Sequence, residues 1–169
     1  LAQAVDSLRE LATNEDKRKT QSVGLRALGF VALSYPEAVA PGDALTAAVT
    51  DESIRPRNRN RALRALWQLA RSRPDIAEPH VETVIELLAY DTDTAAATDY
   101  IEGDDLDAHA RSIRSNAAKL LAVVAATTPA AIDEAAIDPL VEIVDSDEYA
   151  AYRAILALGE LSDAYAETI

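Results

Sequence analysis

The sequence predicts an all-α fold made of about four repeated helix pairs. Internal repetition is the first observation. The stretch 24–36 (GLRALGFVALSYP) aligns with 62–74 (ALRALWQLARSRP), with 117–129 (AAKLLAVVAATTP) and with 154–161 (AILALGEL). The steps between them are 38, 55 and 37 residues, so one unit recurs with a single insertion of about 17. Composition is the second observation: 35 of the 169 residues are Ala and only five are Gly. Ala is the best helix former, and its small side chain lets helices approach closely. The third is punctuation. Pro36, Pro74 and Pro129 fall at one position of the unit, and a residue without an amide hydrogen ends a helix there.

Each pair follows from spacing and turns. In the first, residues 1–34, Val5, Leu8 and Leu11 recur at helical spacing before the polar turn Thr13–Asp16. In the second, 37–73, Pro41 opens a helix carrying Leu45, Ala48 and Val49, and Asp51–Ser53 forms the turn. Its second helix places Leu63, Leu66, Leu69 and Ala70 on one side. Arg57, Arg61, Arg64, Gln68 and Arg71 lie opposite, at i, i+4, i+7, i+11 and i+14. In the third, 77–128, Pro79 precedes Val81, Val84, Ile85 and Leu88, and Asp91–Asp93 forms the turn. The insertion, 94–110, has no helical stripe and is expected to be an acidic surface loop. In the fourth, 132–162, Ile137, Leu140, Val141 and Val144 precede Asp145–Asp147. The acidic turns are expected to cap the helices that follow them.

A helix reading Leu140-Val141-x-x-Val144, an acidic turn, then Arg-x-x-Ala-x-x-x-Leu resembles the HEAT-repeat (armadillo-like) family. The residues that carry the likeness are Asp145–Asp147 with Ala154, Leu158 and Gly159, and Ile113 and Arg114 with Ala117 and Leu121. Arg59, ahead of Ala62 and Leu66, stands in the column of Arg114. The resemblance covers essentially the whole chain. It implies a right-handed α-α superhelix, a solenoid whose second helices line the concave side. It also implies structural roles for Arg59 and Arg114, through a ladder between turn Asp and helix Arg. Gln21 and Ala151 replace that Arg in the first and fourth units, where no such ladder is expected.

Charge is segregated along the chain. Segments 17–35, 55–74 and 110–132 hold 14 of the 16 Lys and Arg and none of the 29 Asp and Glu. The net charge is −13, with three Lys against 13 Arg. This acidic, Lys-poor, Ala-rich composition resembles that of proteins from salt-accumulating halophiles, and reads as a surface adapted to salt. With no Cys there is no disulfide, thiol nucleophile or Cys-based metal site. The chain has no Met and opens on Leu1, so a segment of a longer protein is expected. The longest apolar run, Leu120–Ala126, is far too short to span a membrane. A cytoplasmic location is expected.

Transferring the stripe of the second unit to its neighbours gives three outward columns. They are Lys19, Arg57, Ser112 and Tyr149; Val23, Arg61, Asn116 and Arg153; and Arg26, Arg64, Lys119 and Leu156. On a HEAT-like solenoid they form a basic patch on an acidic protein. Several of these cations stand at helix starts, where the macrodipole disfavours positive charge by ~0.3–1 kcal/mol. Trp67 occupies a column otherwise held by Gly29, Ala122 and Gly159. With Arg64 and Arg71 at i−3 and i+4, it reads as an interface anchor or as a filler between units.

The expected partner-binding residues are Lys19, Arg26, Arg57, Arg61, Arg64, Trp67, Arg71, Lys119 and Arg153. Asp99, Glu102, Asp104, Asp105, Asp107 and His109 do not follow a calcium-loop order, so no metal or other cofactor is expected. His80 and His109 match no nucleophile pattern, and no catalytic motif is present. The predicted function is a protein-interaction scaffold for an acidic protein segment or subunit, not an enzyme, with a small-molecule ligand disfavoured. A nucleic-acid-binding module and a regulatory or lyase-type subunit of an enzyme are the alternatives.

Overall fold

Proline geometry sets the rhythm of the chain. Tyr35, Arg73 and Thr128 each precede a proline, and their φ/ψ values are −141/62°, −139/69° and −141/66°. A proline ring clashes with an α-helical residue before it. The second helix of a pair therefore stops at that point, and one conformation used three times turns the chain the same way. The computed structural model describes residues 1–14, 18–40, 43–51, 54–91, 106–146 and 148–166. Among these are α-helices, short 3₁₀ turns and no strand.

The helices are α1 (Ala2–Ala12), α2 (Arg18–Ser34), α3 (Pro36–Val39), α4 (Asp43–Thr50), α5 (Pro56–Ala70), α6 (Val81–Glu86), α7 (Leu106–Ala125), α8 (Ile137–Ser146) and α9 (Glu148–Leu161). Within pairs, α1 packs on α2, α4 on α5, α6 on α7 and α8 on α9. Between pairs, α2 packs on α5, α5 on α7 and α7 on α9. The second helices thus form a row, each carrying its own first helix. Leu25, Leu28, Leu63, Leu66, Leu69, Ile113, Leu120 and Leu121 from this row are fully buried. Each is worth ~1.5–3 kcal/mol relative to an exposed side chain, more than the few tenths by which helix propensities differ among ordinary residues. Burial along the row, rather than propensity, holds the helices.

Two expectations need correction. Residues 106–110, read as the end of the insertion loop, form the first turns of α7. Ala110 is buried one turn ahead of Ile113, so the apolar stripe runs back into the acidic segment. Residues 92–105, which include most of the insertion, lie outside the described residues, as do Pro41 and parts of the other turns. The first helix of the third pair is short, with Leu87–Ala89 continuing α6 as a 3₁₀ turn. Finally, the N-cap position of α5 is not held by an acidic or hydroxyl residue, and residues 52–53 of the expected turn lie outside the described residues. Arg55 holds that position without a side-chain cap bond, and Pro56 follows. A proline at the first helical position presets φ and removes an amide that would otherwise need a partner.

Arg59 and Arg114 bind backbone. Arg59 Nε donates to the Val49 carbonyl at 2.6 Å, at the C-terminal end of α4. An Arg114 guanidinium nitrogen donates to the Tyr90 carbonyl at 3.0 Å, just after the 3₁₀ turn. Gln21, in the same column, is buried and accepts from Asn58 Nδ2 at 2.9 Å, which joins α2 to α5.

Candidate basic interaction face

Helical spacing on α2, α5, α7 and α9 places cations on the side of the row away from the core. Lys19, Arg26, Arg57, Arg64 and Arg71 are exposed; Arg61, Lys119 and Arg153 are half-buried. Among the described residues no carboxylate forms an ion pair with any of these eight. Ion pairs of Arg elsewhere include Arg9 with Asp6, and Arg73 with Glu37 and Asp75.

Proximity is visible in the electrostatics. Burial lowers the affinity of the Arg61 guanidinium for its proton, and the neighbouring charges of Arg57 and Arg26 lower it further. Burial likewise pushes the Lys119 ammonium below the usual lysine range, with Arg153 and Arg64 adding to the shift. Cations from four helices therefore act on one another, in two groups that meet along α5. A surface that crowds like charges without carboxylates costs free energy, and an anionic ligand would offset that cost.

Between α2 and α5 the face opens into a groove of 270 Å³ lined by Leu25, Arg26, Gly29, Phe30, Arg61, Arg64, Ala65 and Gln68. The Arg26 guanidinium lies 5.7 Å from the centre of the exposed Phe30 ring. Phe30 was absent from the predicted site. The signal was available, because Phe30 stands in the outward column of Gln68, one repeat earlier.

Trp67 is half-buried and packs against the core cluster. Lys119 Nζ lies 5.4 Å and the Arg71 guanidinium 5.7 Å from its ring centre. The indole thus fills the space between α5 and α7 and holds two cations in place by cation–π attraction. Arg71 was an expected neighbour; Lys119, from the next pair, was not.

Asn116 departs from the outward assignment of its column. It is buried, its Nδ2 donates to Asn60 Oδ1 at 2.8 Å, and its Oδ1 accepts from Lys119 Nζ at 3.0 Å. A helix flanked on both sides has no free edge, so a column exposed on one helix can be covered on the next. Tyr149 and Leu156, by contrast, are exposed as their columns predict.

A larger cavity, 1040 Å³, lies between the third and fourth pairs. Its walls mix Asp91, Asp107 and Glu142 with Arg111 and Arg114, so it offers no surface of a single sign. Among the described residues no three His, Asp or Glu side chains converge to hold a metal ion, and no helix is long and apolar enough to cross a membrane. Comparison with protein-family models, with curated proteins and with solved structures finds no match to this chain.

Proposed function

We propose that this chain is a HEAT-like α-solenoid acting as a protein-interaction scaffold, whose concave basic face takes an acidic segment of a protein partner. One observation carries the reading. Arg26, Arg57, Arg61, Arg64, Lys119 and Arg153 gather from four helices without a described carboxylate among their ion-pair partners, on a chain of net charge −13. Arg supplies bidentate donors to carboxylates, and the α2–α5 groove offers Phe30 beside Arg26 for an apolar side chain flanked by acids. Such a composite site suits an acidic peptide better than duplex nucleic acid, whose exposed backbone presents charge without apolar groups.

The test is fluorescence anisotropy with three labelled probes: a Glu-rich peptide containing Leu and Phe, duplex DNA, and single-stranded RNA, each across a KCl series. The expected result is saturable peptide binding that weakens with salt and drops at least tenfold in Arg61→Glu and Arg64→Glu, with helicity unchanged. At ~1 M salt the Debye length is about 3 Å, so surviving affinity comes from close contacts. Binding of the nucleic acids but not the peptide would replace the reading with a nucleic-acid module. Peptide binding that ignores both substitutions would remove the basic face from it.

A further inference from the structure

The second helices contact one another through fixed columns of the repeat. Gly29 of α2 lies against α5, where a Cβ would stand 3.0 Å from Ala65 Cβ. Gln21 of α2 bonds Asn58 of α5, and Asn60 of α5 bonds Asn116 of α7. Trp67 of α5 meets Lys119 of α7. Each helix therefore has a leading flank that touches its successor and a trailing flank that touches its predecessor.

In α9 the leading-flank columns hold Ala151, Tyr152, Ile155 and Gly159. The counterparts of Ile155 are Leu25, Leu63 and Ala118, all fully buried, whereas Ile155 is 53% exposed. Tyr152 is also exposed, although its counterpart Ser115 is buried. Nothing lies within 4 Å of where a Cβ on Gly159 would stand. In α2 the trailing-flank columns hold Thr20, Val23, Ala27 and Phe30. The counterparts of Ala27 are Ala65, Leu120 and Ala157, all buried, whereas Ala27 is only half-buried; Val23 is 62% exposed. Both free flanks are mainly apolar, and they are the two halves of one kind of contact.

We infer that the chain associates head to tail with a second copy of itself, whose α2 takes the place on α9 that α5 takes on α2. The register argues for this occupant. Gly159 would meet Ala27 of the second copy as Gly29 meets Ala65, the same residue pair. Tyr152 would meet Val23 where Asn60 meets Asn116, an apolar pair in place of an amide pair. Arg71 and Lys119 share the Trp67 ring; in the transposed contact their columns hold Asp163 and Arg26, which are of opposite charge. A heterologous contact of this kind does not close on itself at two copies. The net charge of −13 opposes it at low salt, so screening strengthens it. The contact shares Arg26 and Phe30 with the proposed acidic-peptide site, but it does not depend on peptide binding there.

The test is sedimentation velocity of the chain in molar KCl, from micromolar to millimolar protein. The wild type is expected to rise continuously above its 18.1 kDa monomer mass. Ile155→Asp and Val23→Asp change exposed positions on opposite flanks, and each alone is expected to permit no growth beyond the monomer. Mixed in equal amounts, the two variants keep one intact flank of each kind and are expected to form a dimer and nothing larger. A wild type that stays monomeric throughout overturns the inference. So does a dimer that never grows, or a mixture of variants that remains monomeric. Far-UV circular dichroism of both variants separates loss of contact from loss of fold.

Discussion

Gly24 sits where α2 crosses α1, and a Cβ there would lie 2.6 Å from the Ala12 nitrogen and 2.9 Å from the Leu11 carbonyl carbon. Both obstacles are backbone, so relief requires the helices to part. Ala in place of Gly improves helix propensity by ~1 kcal/mol, while overpacking a close contact costs ~1–3 kcal/mol or more. Gly24→Ala is therefore expected to destabilise by about 1–2 kcal/mol, the clash outweighing the propensity gain. Gly159 has open space in the same direction. Gly159→Ala is expected to stabilise by ~0.5–1 kcal/mol at concentrations where the chain is monomeric. Urea unfolding of the two variants checks this, and shifts of the same sign would show that the α1–α2 approach is not the deciding contact. Sequence alone treats these two glycines alike, as small residues in a repeated helix.

At the scale of elements, the joints between helices rest on side chains that satisfy helix ends. Arg59 donates to the Val49 carbonyl at the end of α4 and places its guanidinium 5.5 Å from the Tyr90 ring centre. It therefore ties the first helix of the second pair to the segment that follows the first helix of the third. A charged hydrogen bond of this kind is worth ~1.5–3 kcal/mol. Arg59→Ala is expected to lower stability by about that amount, and Arg59→Lys to recover only part of it, because an ammonium lacks the planar fork. Chemical denaturation of both variants measures this, and full recovery by Lys would reduce Arg59 to a point charge. The resemblance implied a structural role for Arg59 through a turn Asp, whereas the described bond goes to the Val49 carbonyl. The start of α5 was not legible in the sequence, because Arg55 holds the N-cap position without a side-chain cap bond and Pro56 follows it.

Over the whole molecule, 29 carboxylates oppose 16 cations, and the ion pairs at Arg9 and Arg73 are exposed, where solvent screens them and they add little. Salt weakens these pairs slightly but also screens the repulsion of the acidic surface and of the crowded cations around Arg61 and Lys119. Since the Debye length falls from about 10 Å at 0.1 M to about 3 Å at 1 M, repulsion over longer distances loses more. KCl is therefore expected to raise the Tm across that range, in thermal unfolding followed by circular dichroism. A lower Tm at high salt would show that ion pairs outweigh the net charge.

Periodicity and punctuation determined the helices of this chain, because an amphipathic stripe and a proline act within a few residues of themselves. They also identified the column of cations, since residues opposite an apolar stripe must face away from it. What covers each flank was decided only by the packed structure. Asn116 is buried although its column points outward elsewhere, Trp67 turns into the α5–α7 joint, and the counterparts of the buried Leu25 and Leu63 end in the exposed Ile155. The physical reason is that a residue's angle around its own helix follows from the sequence, whereas its exposure depends on whether another helix lies in that direction.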